Sequence, residues 1–361
     1  MLGWIELRNR KCMGTCQSTE SVETKGNHDQ NVVYVADANR PGSDEDGRRR
    51  IASLYSQRGK KGPNQDAVIL CQGFGMEDGV FCGVFDGHGK NGHMISKIVR
   101  DFLPCLLLSQ RNTLMLSDED SDFTDSTTTS PKDDSEGSPI LSPFLFEEWK
   151  EACISAFKVM DKELKLQSNL DCTFSGTTAV SIIKQGNYLI IANLGDSRAV
   201  MGTISEEGHL EAIQLTTDLK PSIPKEAERI RKSKGRVFAL RDEPHIQRVW
   251  LPHENFPGLA MARSFGDFQL KHYGVISIPE VSHHQISSKD QFIVLATDGV
   301  WDVLNNEEVV SIVWSIERKE DAAKALVEAA VHAWKNKFPA SRIDDCSAAC
   351  LFLQEGRQGK K

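Results

Sequence analysis

The stretch Gly79–His93 reads GVFCGVFDGHGKNGH. It opens as a strand, with Val80, Phe81, Val84 and Phe85 supplying apolar and β-branched bulk, and then sets Asp86, Gly87, His88 and Gly89 at the exit. Aspartate is depleted in strands and common in turns, and glycine reaches backbone conformations that other residues avoid. A tight turn therefore accounts for the acid and the glycines. It does not account for His88, an imidazole set where other groups can approach the main chain closely.

The same event recurs along the chain. ANLGDSRAV puts Asp196 beyond an apolar run, and FIVLATDGVWD puts Asp298 and Asp302 beyond another. In RIDDCSAACLFL the order reverses, with Asp344 and Asp345 ahead of the run, as Asp66 is in GPNQDAVIL. Each acid alone is an ordinary turn residue, and five independent turns are the plain alternative. If the strand ends converge, however, like charges crowd together, which is unfavourable unless cations neutralise them. Oxygen donors without a supporting set of His or Cys select Mg²⁺ or Mn²⁺ over zinc. Two such ions roughly 3.5–4 Å apart lower the pKa of a shared water and clamp phosphate oxygens during in-line attack.

The chain has 361 residues, enough for one large domain or two smaller ones. A hydrophobic share of 39% and a charged share of 26% describe an ordinary soluble globular protein, and a net charge of −8 gives no support to a nucleic-acid partner. The nine cysteines form no CxxC pair and are odd in number, the pattern of reduced thiols in the cytoplasm or nucleus. No apolar stretch approaches the ~20 residues needed to cross a bilayer, and the N-terminus lacks the apolar core, roughly 7–15 residues, of a secretory signal. MGTCQS, residues 13–18, fits the N-myristoylation pattern with Cys16 beside it. Only a start at Met13 would free Gly14 for acylation, so plasma-membrane attachment is expected in that case alone.

Residues 1–50 are polar and carry SDEDGRRR, which predicts a mobile arm and a fold that begins near Ile51. Residues 112–142 are acidic and rich in Ser and Thr, which predicts a disordered surface insertion, and 356–361 form a short tail. Three helical stripes stand out: Ile95, Ile98, Val99, Phe102 and Leu103; Trp149 through Leu164; and Ala323, Leu326, Val327, Ala330 and Trp334. GVFCGVF, TAVSIIK, YLIIANLG, FIVLAT and AACLFL read as strands. Helices fall singly between groups of consecutive strands, so the pattern predicts an α+β fold with antiparallel sheets rather than a doubly wound parallel sheet.

GPNQDA, FDGHG, SGTTAV, ANLGDSRAV, GLAMARSFGD, ATDGVWDVL and DDCSAACLFL occur in this order between Ile51 and Leu353. Together they resemble the type 2C family of metal-dependent protein serine/threonine phosphatases, and the flanking sequence is similar to plant members. The resemblance implies one catalytic domain over residues 51–355, a sandwich of two antiparallel β-sheets flanked by helices in four αββα layers. It also implies a site for two Mg²⁺ or Mn²⁺ ions at one end, with a weaker third. Asp86 would bridge both ions, Gly87 would lend its carbonyl, and Asp298 and Asp344 would hold the second. Asp66 would orient water one layer out, while Asp196 and Asp302 match acids linked to the third ion or to outer water. His88 would donate a proton to the leaving Ser or Thr oxygen, a task suited to an imidazole.

Three departures from the family pattern stand out. Lys61 replaces a phosphate-gripping arginine, offering a point charge in place of a planar fork, with Arg58 nearby. Gln65 replaces a glutamate common before the early aspartate, and Asp345 a more usual asparagine. A flap over residues 216–267 holds Arg248 and Trp250, the latter expected to pack. The implied partners are phosphoprotein substrates in signalling, with no nucleic acid, and the implied state is a monomer. The alternatives are a catalytically silent module on the same fold, or another dinuclear phosphoesterase such as a nuclease. Retention of Asp86, Gly87, His88, Asp298 and Asp344 weighs against the first, and the acidic charge against the second.

Overall fold

Strand β4 (Val80–His88) shows why the central runs are apolar throughout rather than alternating. Phe81 and Phe85 point to one side, into a cluster shared with helices, while Val80, Cys82 and Val84 point to the other, into a cluster shared with a second sheet. A strand buried on both faces has no polar side to show. The computed structural model describes residues 31–35, 51–119 and 143–354.

The first sheet runs β1 (Val32–Val35), β3 (Asp66–Gln72), β4, β6 (Ala179–Gln185), β7 (Tyr188–Leu194), β14 (Glu280–Gln285). Two short strands, β5 (Gly176–Thr177) and β13 (Phe265–Gly266), extend it beyond the end of β4. The second sheet runs β2 (Ala52–Gln57), β16 (Cys346–Phe352), β15 (Asp290–Ala296), β8 (Arg198–Ile204), β9 (Leu210–Gln214). Ala52, Val68, Val180, Met201, Ile293 and Leu351 interleave between the sheets. Helices α1 (Gly92–Glu119) and α2 (Pro143–Lys165) cover the first sheet, with Ile95, Val99, Leu103, Trp149 and Phe157 against Phe81 and Phe85. The flap forms a separate three-stranded sheet, β10 (Arg236–Ala239), β11 (Gln247–Trp250) and β12 (Pro257–Leu259), beside α3 (Pro224–Lys232) and α4 (Phe268–Lys271). After the one-turn helix α5 (Asp298–Trp301), α6 (Asn306–Ser315) and α7 (Ala322–Lys337) cover the second sheet through Val309, Val313, Leu326 and Trp334. The architecture is the expected α+β sandwich with helices outside.

Two boundaries differ from expectation. The chain enters the fold before Ile51, because β1 pairs with β3, Val32 opposite Val68, and this pairing is parallel where an antiparallel sheet is expected. The run NVVYV carries the β-branched bulk for an edge strand, and the Tyr34 hydroxyl accepts a hydrogen bond from the Leu54 amide at 3.1 Å. Likewise α1 continues to Glu119, into the segment assigned to the insertion, because Leu114 still packs on the helix–sheet cluster. Residues 1–30, 36–50, 120–142 and 355–361, with Met13, Gly14 and Cys16, lie outside the described residues. Among the described residues no helix is long and apolar enough to cross a membrane.

Phe81 is fully buried between β4 and the helices. Phe81→Ala is expected to lower unfolding stability by about 3–5 kcal/mol, read from urea denaturation. A loss under about 1 kcal/mol would contradict its place in that packed layer.

Candidate active site

Antiparallel pairing brings the acid-bearing strand ends together. Asp66 opens β3, Asp86 stands near the close of β4, and the two are register partners. In the facing sheet Ala296 at the end of β15 pairs with Ala348 of β16 and with Arg198 of β8. Asp298, Asp344 and Asp196 therefore emerge at the same end of the sandwich. The Thr297 hydroxyl ties the sheets there, donating to Asp66 Oδ2 at 3.0 Å.

The resulting electrostatics are those of crowded carboxylates. Burial raises Asp86 well above the ordinary carboxylate range, and the charges of Asp298, Asp66, Asp344 and Asp196 push it further. Burial likewise raises Asp298 well above that range, reinforced by Asp344, Asp302 and Asp196. Asp66 is pushed up to about 8, chiefly by burial and then by Asp345, against hydrogen bonds from Ser347 and Thr297.

Gly87 has to be glycine for reasons of space. A Cβ there would lie 2.4 Å from the Gly92 carbonyl oxygen and 2.6 Å from that of Gln65. Gln65 pins this turn: its side-chain amide donates to the Gly89 carbonyl at 2.8 Å, and its own carbonyl accepts from the Gly87 amide at 3.1 Å and the Ser96 hydroxyl at 2.5 Å. A glutamate at 65 could not make the first of these bonds.

Asp344 and Asp345 part company. Asp344 faces the cluster and pairs with the half-exposed Lys61 ammonium, which also feels Asp298 and Asp86. Asp345 turns away and accepts from two backbone amides, Gly59 at 2.7 Å and Gln65 at 2.8 Å, fixing the loop that carries Lys61. Arg58 is held in this loop, its Nε on the Gly62 carbonyl at 2.5 Å. Asp302 lies one turn past Asp298 at the end of α5. Asp302 and Asp196 share a counter-ion, the Lys220 ammonium, 3.9 Å from Asp302 Oδ1 and 4.0 Å from Asp196 Oδ2. The other Asp196 oxygen, Oδ1, is buried with no hydrogen-bond partner.

His88 closes β4, and its Nε2 lies 2.7 Å from Asp267 Oδ2. Burial works against charge on this imidazole, but the Asp267 carboxylate and its hydrogen bond outweigh burial and raise the pKa. Asp267 is itself buried, adopts a left-handed backbone (φ +48°), and accepts from the Ser264 hydroxyl at 2.6 Å. Below it Lys271 Nζ joins Asp161 at 3.0 Å to the Ser264 carbonyl at 2.6 Å, and Asp161 accepts from the Gly266 amide at 2.9 Å. Asp267 and Lys220 are absent from the candidates read from the sequence. Asp267 shares the mark of Asp86, Asp196 and Asp298, an acid beside a glycine at a strand end, but β13 has two residues and shows no apolar run. Lys220 sits in a polar loop with no local signal.

In the flap Trp250 is buried, stacks on Phe238 at 5.0 Å, and donates Nε1–H to the Phe238 carbonyl, so it packs. Arg248 is engaged by Glu243 and the Gly258 carbonyl.

No three His, Cys, Asp or Glu side chains among the described residues already meet at one point with metal-ligand spacing. The carboxylates are nonetheless neighbours whose burial and mutual repulsion a hard divalent cation would offset, and the orphaned Asp196 Oδ1 has no other donor. An all-oxygen donor set of this kind fits Mg²⁺ or Mn²⁺.

Comparison with known proteins gives the family. The sequence model for protein phosphatase 2C matches residues 55–335. A protein of Oryza sativa subsp. japonica described as probable protein phosphatase 2C 12 is 59% identical, over 96% of this chain and 93% of its own length. Probable protein phosphatase 2C 72 of Arabidopsis thaliana is 48% identical, over 96% of this chain and 99% of its own. Among solved structures, serine-threonine phosphatase 2C from Toxoplasma gondii superposes with a TM-score of 0.71 at 25% identity, covering 84% of this chain and 94% of that one. With its fold, its converging carboxylates and these relatives taken together, the chain belongs to the protein phosphatase 2C family, the metal-dependent protein serine/threonine phosphatases.

Proposed function

We propose that this phosphatase hydrolyses phosphoserine and phosphothreonine in signalling proteins of the cytoplasm and nucleus, as a monomer. In this reading Asp86, Gly87, Asp298 and Asp344 hold two Mg²⁺ or Mn²⁺ ions, and His88 acts as general acid. The observation that carries it is the convergence of Asp86, Asp298 and Asp344, acids distant in sequence, at one end of the sandwich, beside an imidazole held by Asp267. Bound there, the ions supply Lewis acidity that activates water and neutralises the phosphoryl oxygens.

The chain's own groups do the rest. Asp66, buried and oriented by Thr297, holds water at the edge of the cluster. Lys61, whose side chain is 53% exposed, offers the incoming phosphate a point charge that it otherwise spends on Asp344. His88 Nδ1 is buried with no partner, so the proton passes through Nε2. Asp267 stabilises the imidazolium and orients its ring through Nε2–H; when that proton passes to the leaving oxygen its hydrogen bond to Asp267 is given up, and the neutral imidazole keeps its other proton on Nδ1. Asp267 is thus a positioning residue for His88.

The test uses purified protein with Mn²⁺ or Mg²⁺ against a phosphothreonine peptide, a bis-aryl phosphodiester and single-stranded DNA, each with and without EDTA. Phosphate release from the peptide, abolished by EDTA, is the expected result. Hydrolysis confined to the diester or the DNA would overturn it, and no turnover with any substrate would favour a silent module.

A further inference from the structure

The pair Asp196 and Asp302 already has a cation within the chain. Lys220 Nζ stands 4.0 Å from one and 3.9 Å from the other, beyond hydrogen-bond range of both, so it balances their charge without occupying their lone pairs. Its backbone is fixed: the Leu219 amide donates to the Gly195 carbonyl at 2.9 Å, next to Asp196, and the Ala262 amide donates to the Leu219 carbonyl at 2.7 Å. The neighbouring acid Asp218 is committed elsewhere, gripped by Arg198 through Nε at 2.9 Å and Nη2 at 2.6 Å. Lys220 therefore has Asp196 and Asp302 as its closest charged neighbours. Its side chain is 37% exposed, so the ammonium has room to swing into solvent. Asp196 Oδ1, buried and unpartnered, is an oxygen that an ammonium at 4 Å does not satisfy and a directly coordinated cation would.

We propose that Lys220 is a tethered competitor for divalent cations at the Asp196–Asp302 pair: a divalent ion binds there only by displacing the ammonium. The proposal rests on the reading of this end of the sandwich as a metal centre and adds a control on it. The pair admits an extra ion at high divalent concentration and is otherwise neutralised by the chain itself. Two positive groups cannot share a pair of carboxylates at this spacing without mutual repulsion, so removing one favours the other.

The experiment counts Mn²⁺ bound to the full chain by electron paramagnetic resonance of free Mn²⁺ and by calorimetry, with near-ultraviolet circular dichroism to verify folding. Lys220→Met, which keeps the aliphatic stem and removes the charge, is expected to bind its weakest Mn²⁺ at least tenfold tighter or to gain one ion per chain. Lys220→Arg, which keeps the charge, is expected to match the wild type. Adding Asp196→Asn to Lys220→Met should abolish the gain. No gain in Lys220→Met, an equal gain in Lys220→Arg, or a gain that survives Asp196→Asn would each overturn the proposal. A wild type without its two tighter Mn²⁺ ions, alongside a gain in Lys220→Met that Asp196→Asn removes, would overturn the dinuclear reading and leave the competition standing.

Discussion

Asp86→Asn is expected to bind Mn²⁺ more than about 100-fold more weakly, beyond the 10–100-fold effect typical of outer partners of metal ligands, and to lose phosphatase activity with it. Four carboxylates act on Asp86, and burial together with their charges raises it well above the ordinary carboxylate range. An amide of the same shape removes that charge and one of two anionic oxygens. It leaves the backbone intact, because the Asp86 amide donates to the Thr178 hydroxyl at 3.0 Å and its carbonyl accepts from the Thr178 amide at 2.9 Å. The metal-free variant is therefore expected to melt no lower than wild type, since like-charge repulsion is relieved. Calorimetry and thermal unfolding read the two effects separately. Unchanged Mn²⁺ affinity would remove Asp86 from the ligand set.

His88→Ala is expected to lower kcat on a phosphothreonine peptide by about 10²–10⁴-fold, the range of general acid catalysis. The loss should be far smaller on p-nitrophenyl phosphate, whose leaving group departs without a proton, and Mn²⁺ affinity should hold. Asp267→Asn should show the same selectivity in weaker form, because it keeps the shape beside Nε2 but not the charge that raises the imidazole pKa. Equal losses on both substrates would mean that His88 shapes the pocket and donates no proton. Loss of Mn²⁺ affinity would make it a support for the Asp86–Gly89 turn.

Much of this was legible because it is local. Apolar strands and helical stripes announce themselves by periodicity, and acids beside glycine at strand ends mark where turns cluster. What brings the acids together is not local: the Asp66–Asp86 register and the adjacency of β15, β16 and β8 follow from sheet order, which no single segment encodes. The elements that escaped are short or polar. β1 is four residues between polar segments, β13 is two, and Lys220 is placed by the Leu219–Gly195 backbone bond that orients its loop. The departures in sequence have local causes visible only in three dimensions. Gln65 is an amide because the Gly89 carbonyl needs a donor. Asp345 is an acid because two backbone amides need one acceptor oxygen each, and an asparagine offers a single such oxygen.

Anomalous diffraction from crystals soaked in Mn²⁺ tests the dinuclear centre most directly. Two strong peaks about 3.5–4 Å apart, both within bonding distance of Asp86, with Gly87 carbonyl, Asp298 and Asp344 completing the shell, are the predicted result. A single peak, or peaks away from Asp86, Asp298 and Asp344, would contradict it.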